Sequence, residues 1–147
     1  MISKYLKRFI LCGFAGWCLE CFWTGLGSII TASDKTLPCR TSVWMFPIYG
    51  TAMLIVPISK RLNGKSILIR GGIYTILIFL VEFITGSILS FFHLCPWDYS
   101  QAKFQIHGLI RLDYAPVWFL TGLFFEKLLN ESHRISLFKI VYGNKKN

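Results

Sequence analysis

Apolar residues are concentrated in four long blocks of the chain, which are residues 9–31, 42–58, 67–92 and 108–129. Each block is about as long as a helix needs to cross a hydrocarbon layer of about 30 Å. The segment Ile73–Leu80 is apolar or aromatic except at Tyr74 and Thr75, so the third block lacks the polar stripe of a soluble helix. The pattern predicts an all-α, polytopic membrane protein in which residues 1–129 form one domain of four transmembrane helices.

Basic residues are distributed unevenly between the two ends of these helices. Of 16 Lys and Arg residues, 12 lie in the N-terminal segment, in the loop between helices 2 and 3, or in the tail after residue 126. Because short basic segments stay in the cytoplasm, both termini are predicted to be cytoplasmic, with 130–147 as a basic cytoplasmic tail. Topology and anionic lipid headgroups account for the formal charge of +9, so no nucleic-acid partner is expected.

Two predicted transmembrane helices each contain a carboxylate, Glu20 in helix 1 and Glu82 in helix 3. A carboxylate at mid-membrane costs about 2.5 to 3.5 kcal/mol on insertion scales, so both side chains should face the interior of the bundle. Each either ties helices together or lines a functional polar cavity. The stripe of small and polar residues around Glu20 favours a face that contacts other helices.

Helix 2 contains Pro47 and Pro57 on either side of Tyr49 and Gly50. Proline removes a backbone N–H, and broken backbone at membrane depth is tolerated where it is buried in protein or lines a cavity. Helix 2 is therefore predicted to be kinked or partly unwound, with Tyr49 at the cavity. The alternative is that each proline simply marks a helix end.

The loop after helix 3 contains an acidic residue flanked by aromatic residues, since Asp98 stands between Trp97 and Tyr99. A partly desolvated acid favours a nearby cation, and Arg40 or Arg111 is the expected partner. Such a pair either clamps the loop or belongs to a cavity open to the outer face, able to hold a lipid headgroup or a small polar solute. The candidate cavity residues are Glu20, Arg40, Tyr49, Glu82, Asp98, Arg111 and Asp113.

Five cysteines raise two questions about thiol chemistry. Cys18 and Cys21 form a Cys-x-x-Cys pair, but they lie in an apolar helix and are interpreted as small hydrophobic residues. Cys39 and Cys95 both fall on the predicted outer face, where a disulfide between them is permitted.

The segment Leu19–Gly25 resembles Val81–Gly86 with one residue omitted. This likeness suggests a tandem repeat of a two-helix hairpin, related by an axis along the membrane normal. Such a repeat predicts two equivalent pairs, in which Glu20 and Glu82 each face one of the two outer arginines.

Four segments of this chain resemble the transmembrane protein 229 family of animals, and these are Thr41–Thr51, Glu82–Gly86, Cys95–Ser100 and Gly108–Ile110. They occur in family order over nearly the whole chain. That family is similar to bacterial permease-like membrane proteins of ABC-transporter type, whose helix 2 element is retained here as Pro47–Gly50, although Val43–Trp44 replaces the bacterial Gly-Pro. The resemblance implies a multi-pass membrane protein and does not by itself name a molecular function.

Three classes of function fit these features. A lipid-binding or accessory membrane component ranks first, a small transporter or permease-like component second, and an intramembrane enzyme acting on lipid third. The sequence shows no His-rich metal motif and no activated nucleophile pair, so no cofactor or catalytic residue is assigned. The expected partners are membrane lipids, together with a second copy of the chain or another membrane protein.

Overall fold

The structure, a computed structural model, describes the backbone of residues 2–143 and the side chains of residues 4–31 and 33–132. The described chain is mostly helical and carries one small β-hairpin. Its helices are α1 (Ile2–Ala32), α2 (Met45–Gly50), α3 (Ile55–Arg61), α4 (Ile67–Phe91) and α5 (Ala115–Gly143). The hairpin strands are β1 (Gln105–Ile106) and β2 (Ile110–Arg111).

Within the described residues, two helices are long and apolar enough to cross a membrane, and these are α1 and α4. Only 22% and 17% of their most apolar windows are buried inside the molecule. A core helix of a soluble protein would be mostly buried, whereas these helices leave large apolar side chains such as Phe22, Ile76 and Phe91 exposed. Both helices cover the blocks predicted at 9–31 and 67–92, and α1 begins earlier than predicted.

The second predicted helix is interrupted, as its prolines indicate. It begins at Met45 rather than at residue 42, and a 3-10 turn at Thr51–Leu54 separates α2 from α3. Pro57 cannot donate the backbone hydrogen bond that would continue a regular α-helix back through this turn. The prediction of a kinked or partly unwound helix 2 is confirmed.

The fourth predicted helix begins at Ala115, so the prediction of a helix from residue 108 was wrong. His107 and Gly108 both adopt positive φ, at 52° and 67°, which suits the central pair of a tight hairpin turn. The hairpin pairs Ile106 with Ile110. Pro116 then stands in the first turn of α5, where its missing N–H removes no helical hydrogen bond.

The fourth helix also continues beyond its predicted end at residue 129. No proline or glycine follows in the sequence before Gly143, so nothing stops the helix there. The side chains after residue 132 and the backbone of 144–147 lie outside the described residues. The cytoplasmic placement of the 130–147 tail stays a prediction.

Helices α1 and α2 pack closely because glycines replace side chains at their contact. A Cβ atom on Gly16 would lie 2.6 Å from Cδ1 of Tyr49 and closer still to its Cγ. On the other side of the contact, the ring of Phe9 fills the space beside Gly50. Carbon atoms normally meet at about 3.5 to 4.0 Å, so only glycine fits at these positions.

Helices α4 and α5 form the other main contact. Gly122 of α5 lies against the fully buried side chain of Tyr74. Nearer the predicted cytoplasmic end, Arg70 Nη1 donates a hydrogen bond to Glu126 Oε1 at 3.4 Å. Both residues lie at similar depth on adjacent helices, so the two charges form an ion pair at this end of the bundle. The tandem repeat itself stays a prediction.

Candidate functional site

The loop after α1 folds back along the helix that precedes it. Thr24 Oγ1 accepts a hydrogen bond from Arg40 N at 3.0 Å and donates one to Arg40 O at 3.1 Å. Thr41 Oγ1 donates to Glu20 Oε2 at 2.5 Å, and Trp17 Nε1 donates to a loop carbonyl. Glu20 is therefore paired with the hydroxyl of Thr41.

The loop between α4 and α5 folds back in the same way. The Trp97 ring lies against Gly86, where an added Cβ atom would be 3.0 Å from the ring. Trp97 Nε1 donates to the carbonyl of Leu109 at 3.0 Å, which ties the start of the loop to the hairpin. The loop consequently reaches one turn down α4, and Tyr99 faces Glu82.

Glu82 is half-buried and is surrounded by aromatic groups rather than by cations. Tyr99 and Trp118 both lie close enough to interact with its carboxylate. Nevertheless, Glu82 Oε2 and Trp118 Nε1 are buried and neither makes a well-formed hydrogen bond. The carboxylate and the indole therefore interact with each other without the geometry of a full hydrogen bond, which leaves part of the cost of about 1–3 kcal/mol for burying each polar group.

Tyr49 connects this group to helix α1. Its side chain is largely buried, and the carboxylates of Glu20 and Glu82 both act electrostatically on its hydroxyl. Tyr49 also influences Tyr99, so the four groups form one continuous polar cluster. The structure thereby brings together three residues of the predicted cavity, which are Glu20, Tyr49 and Glu82.

Tyr114 stands at the centre of an aromatic group above Glu82. Its ring centroid lies 5.8 Å from that of Trp23, 5.8 Å from that of Tyr99 and 6.2 Å from that of Trp118. Burial, followed by the charge of Glu82, raises the pKa of the Tyr99 hydroxyl well above its usual value near 10. Tyr99 therefore remains a neutral hydrogen-bond donor at physiological pH.

Arg111 borders the outer side of this aromatic group. Its guanidinium lies over the Tyr114 ring at 4.5 Å, and Nη1 is 3.4 Å from the Tyr114 hydroxyl. The same guanidinium donates two hydrogen bonds to Asp113, with Nε at 2.9 Å and Nη2 at 2.8 Å. Hydrogen bonding from Arg111 lowers the pKa of the Asp113 carboxyl below its usual value. Arg111 thus connects the exposed Asp113 to the buried cluster.

Two residues of the predicted cavity lie outside this cluster. Arg40 is exposed and meets helix α1 only through its backbone. Asp98 is also exposed, and its carboxylate accepts hydrogen bonds from Ser100 N at 2.8 Å and Ser100 Oγ at 3.0 Å. Asp98 therefore shapes its own turn and does not bind Arg111, because Asp113 already holds that guanidinium.

Tyr99, Tyr114 and Trp118 were not among the predicted cavity residues. The position of Tyr99 in the chain equally suits an aromatic belt at headgroup level. The seven-residue spacing of Arg111 and Trp118 is a helical one, but Arg111 lies in the hairpin strand β2. That spacing could not show that the loop brings Tyr99 onto Glu82.

The disulfide expected between Cys39 and Cys95 is not formed. All five cysteines are free. Cys39 lies beside Cys21 on α1, whereas the Cys95 thiol points to the carbonyl of Trp97 at 3.2 Å. The two outer loops each fold back on their own preceding helix, so the two thiols have different neighbours. Among the described side chains, no three His, Cys, Asp or Glu residues are arranged to hold a metal ion.

Comparison with known proteins places the chain in a family of membrane proteins. No solved structure matches it. A family model described as "Putative ABC-transporter type IV" matches residues 8–144, which is nearly the whole chain. The protein belongs to this ABC-transporter type IV family.

Proposed function

We propose that this protein is a four-span, lipid-binding membrane component that holds a phospholipid headgroup in the cluster around Glu82. The observation that carries the proposal is the buried carboxylate oxygen Glu82 Oε2, which makes no well-formed hydrogen bond and has aromatic groups beside it. A ligand group that donates a hydrogen bond would satisfy this oxygen.

The charges around the cluster favour a zwitterionic headgroup with a primary ammonium. Glu82 would bind the ammonium, because a carboxylate buried among aromatic rings attracts a cation that can donate hydrogen bonds. Arg111 is half-buried and its Nε and Nη2 bind Asp113, which leaves Nη1, at 3.4 Å from the Tyr114 hydroxyl, as the atom that would bind a phosphate. Phosphatidylethanolamine carries both groups.

An apolar groove about two turns along α4 from Glu82 supports the lipid interpretation. It lies between α4 and α5, has a volume of about 560 Å³, and is lined in part by Thr75, Pro116 and Phe119. The groove begins at the first turn of α5, directly after Tyr114 in the sequence. An acyl chain in the groove would therefore start close to the proposed headgroup position.

The proposed topology places this cluster near the outer face. Helices α1 and α4 cross the membrane, α2 and α3 together form the second span, and α5 forms the fourth. The segment Met45–Arg61 is about 25 Å long at 1.5 Å per residue, and its α2 packs on α1 whereas its α3 packs on α5. Basic residues at the N-terminus, in the loop of residues 60–70 and after residue 126 keep those segments cytoplasmic.

A transport component is the second candidate. The continuous series Glu20, Tyr49 and Glu82 supports it, because linked intramembrane carboxylates are typical of ion and proton pathways. The family description also points to transport. A bound headgroup and a transported solute would use the same buried carboxylate.

The experiment is native mass spectrometry of the full-length protein in mild detergent with equal amounts of phosphatidylethanolamine and phosphatidylglycerol. We expect selective retention of phosphatidylethanolamine by wild type and at least a tenfold loss in Glu82→Gln. Glu126→Gln is the matched control, because Glu126 is also a buried carboxylate but is already paired with Arg70. Equal retention by all three proteins, or no preference between the lipids, would refute the headgroup site.

A further inference from the structure

The exposed loop of residues 33–44 approaches α1 most closely around Cys39. A Cβ atom on Gly25 would lie 3.9 Å from the Cβ of Cys39 and 3.3 Å from the carbonyl oxygen of Leu37. The loop therefore lies in side-chain contact with α1 at Gly25, which is one helical turn from Cys21.

Hydrogen bonds on both sides hold this approach in place. Thr24 exchanges two hydrogen bonds with the backbone of Arg40, and Glu20 accepts one from Thr41. Cys39 directly precedes Arg40 in the chain, so the hydrogen bonds of Arg40 and Thr41 fix the position of Cys39 along α1. Side chains four positions apart lie on one face of a helix, which places Cys21 one turn below Gly25 on the face that the loop covers.

The two thiols differ in their access to a soluble oxidant. Cys21 and Cys39 lie close enough to interact with each other. Cys39 is exposed to solvent, and Cys21 is half-buried. In the topology proposed above, this end of α1 faces the outer side of the membrane, where thiols encounter disulfide oxidants.

We infer that Cys21 and Cys39 form a reversible disulfide that fastens the 33–44 loop to α1 beside Glu20. The reaction is thiol–disulfide exchange with a soluble disulfide such as oxidised glutathione. The Cys39 thiolate attacks the glutathione disulfide and releases one glutathione thiol. The Cys21 thiolate then attacks the mixed disulfide and releases the second, so two protein thiols are oxidised while one disulfide is reduced to two thiols.

The bond would close a ring from residue 21 to residue 39 without reaching the Glu82 cluster. It would keep the Thr41 hydroxyl hydrogen-bonded to Glu20 and so fix the position of the Glu20 carboxylate relative to Tyr49. After reduction, the loop would still be retained by hydrogen bonds, which include those of Thr24, Glu20 and Trp17.

The test is peptide mapping of the purified full-length protein after treatment with oxidised glutathione. Free thiols are blocked with N-ethylmaleimide, and the protein is digested without reductant. We expect a cross-linked peptide that contains Cys21 and Cys39, which disappears on reduction, while Cys12, Cys18 and Cys95 carry the maleimide.

Two serine variants complete the test. Cys39→Ser should abolish the cross-link and leave Cys21 to react with the maleimide, whereas Cys95→Ser should form the cross-link as wild type does. Maleimide on both Cys21 and Cys39 after oxidation, or a bond from Cys39 to Cys18 or Cys95, would overturn the inference. The wild-type peptide map shows whether the Cys21–Cys39 disulfide forms even if a variant folds poorly. Lipid retention is measured separately, so failure of the headgroup site and failure of the disulfide are distinguishable.

Discussion

Gly16→Ala is predicted to destabilise the protein by separating α1 from α2. The new Cβ atom would lie 2.6 Å from Cδ1 of Tyr49 and closer to Cγ, atoms that cannot move without the helix backbone. Restoring a normal carbon contact requires a shift of roughly 1 to 1.5 Å. Overpacking of this kind costs about 1–3 kcal/mol, from which the better helix propensity of alanine recovers at most about 1 kcal/mol.

The assay is thermal unfolding in detergent, followed by intrinsic tryptophan fluorescence. At about 2–4 °C per kcal/mol for a chain of this size, the overpacking cost should lower Tm by roughly 2 to 12 °C relative to a glycine-to-alanine change on the same helix that meets no clash. Gly27→Ala is the matched control on the same helix, because an added Cβ atom meets nothing within 4 Å there. A Tm for Gly16→Ala equal to that of Gly27→Ala would refute the close α1–α2 contact, and with it the placement of Tyr49 between the two glutamates.

Three further predictions concern the ion pairs and the hairpin. Arg70→Met leaves the Glu126 carboxylate buried without its cation and should lower the stability measured by thermal unfolding by about 1–3 kcal/mol. Adding Glu126→Gln in a double variant should restore part of this loss. An unchanged stability in Arg70→Met would exclude the ion pair. Arg111 lowers the pKa of the Asp113 carboxyl in the folded protein below the unfolded value of 3.8. Any stability from this exposed pair is therefore present above pH 3.8 and is lost as the pH falls through the folded-state pKa of Asp113. A carboxyl ¹³C NMR titration should accordingly give a midpoint below 3.8 that Arg111→Met raises, and an unchanged midpoint would contradict the pairing. Gly108→Ala places an L-residue at a φ of 67° and should lower stability by about 1–2 kcal/mol, whereas an unchanged Tm would contradict the hairpin turn.

The sequence predicted the elements whose cause is local. Uninterrupted apolar runs produce α1 and α4, and Pro57 interrupts the helix between them. The ion pair of Arg70 and Glu126 was foreseeable because both residues stand at similar depth on adjacent helices.

Other features depend on contacts between distant residues and were missed or misplaced. Leu109, Ile110 and Leu112 give the same apolar signal as a helix, but the turn at Gly108 places them in a hairpin. The position of Tyr99 on Glu82 results from the whole loop folding back, which hydropathy does not encode.

The cysteines show the same limit. The predicted topology grouped the two outer loops on one face but could not distinguish between the partners available there. Cys39 has Cys21 as its neighbour, because hydrogen bonds to α1 hold its own loop in place. Cys39 therefore contacts the helix that precedes its own loop and is not bonded to Cys95 in the other outer loop.

The most direct test of the headgroup site is NMR of the protein in micelles with a short-chain phosphatidylethanolamine that is ¹³C-labelled in its ethanolamine carbons. The site predicts NOEs from the ethanolamine methylene protons to the ring protons of Tyr99 and the indole of Trp118, and these should be lost in Glu82→Gln. Contacts restricted to exposed aromatic residues such as Phe91 and Phe92, or NOEs that persist unchanged in Glu82→Gln, would contradict it.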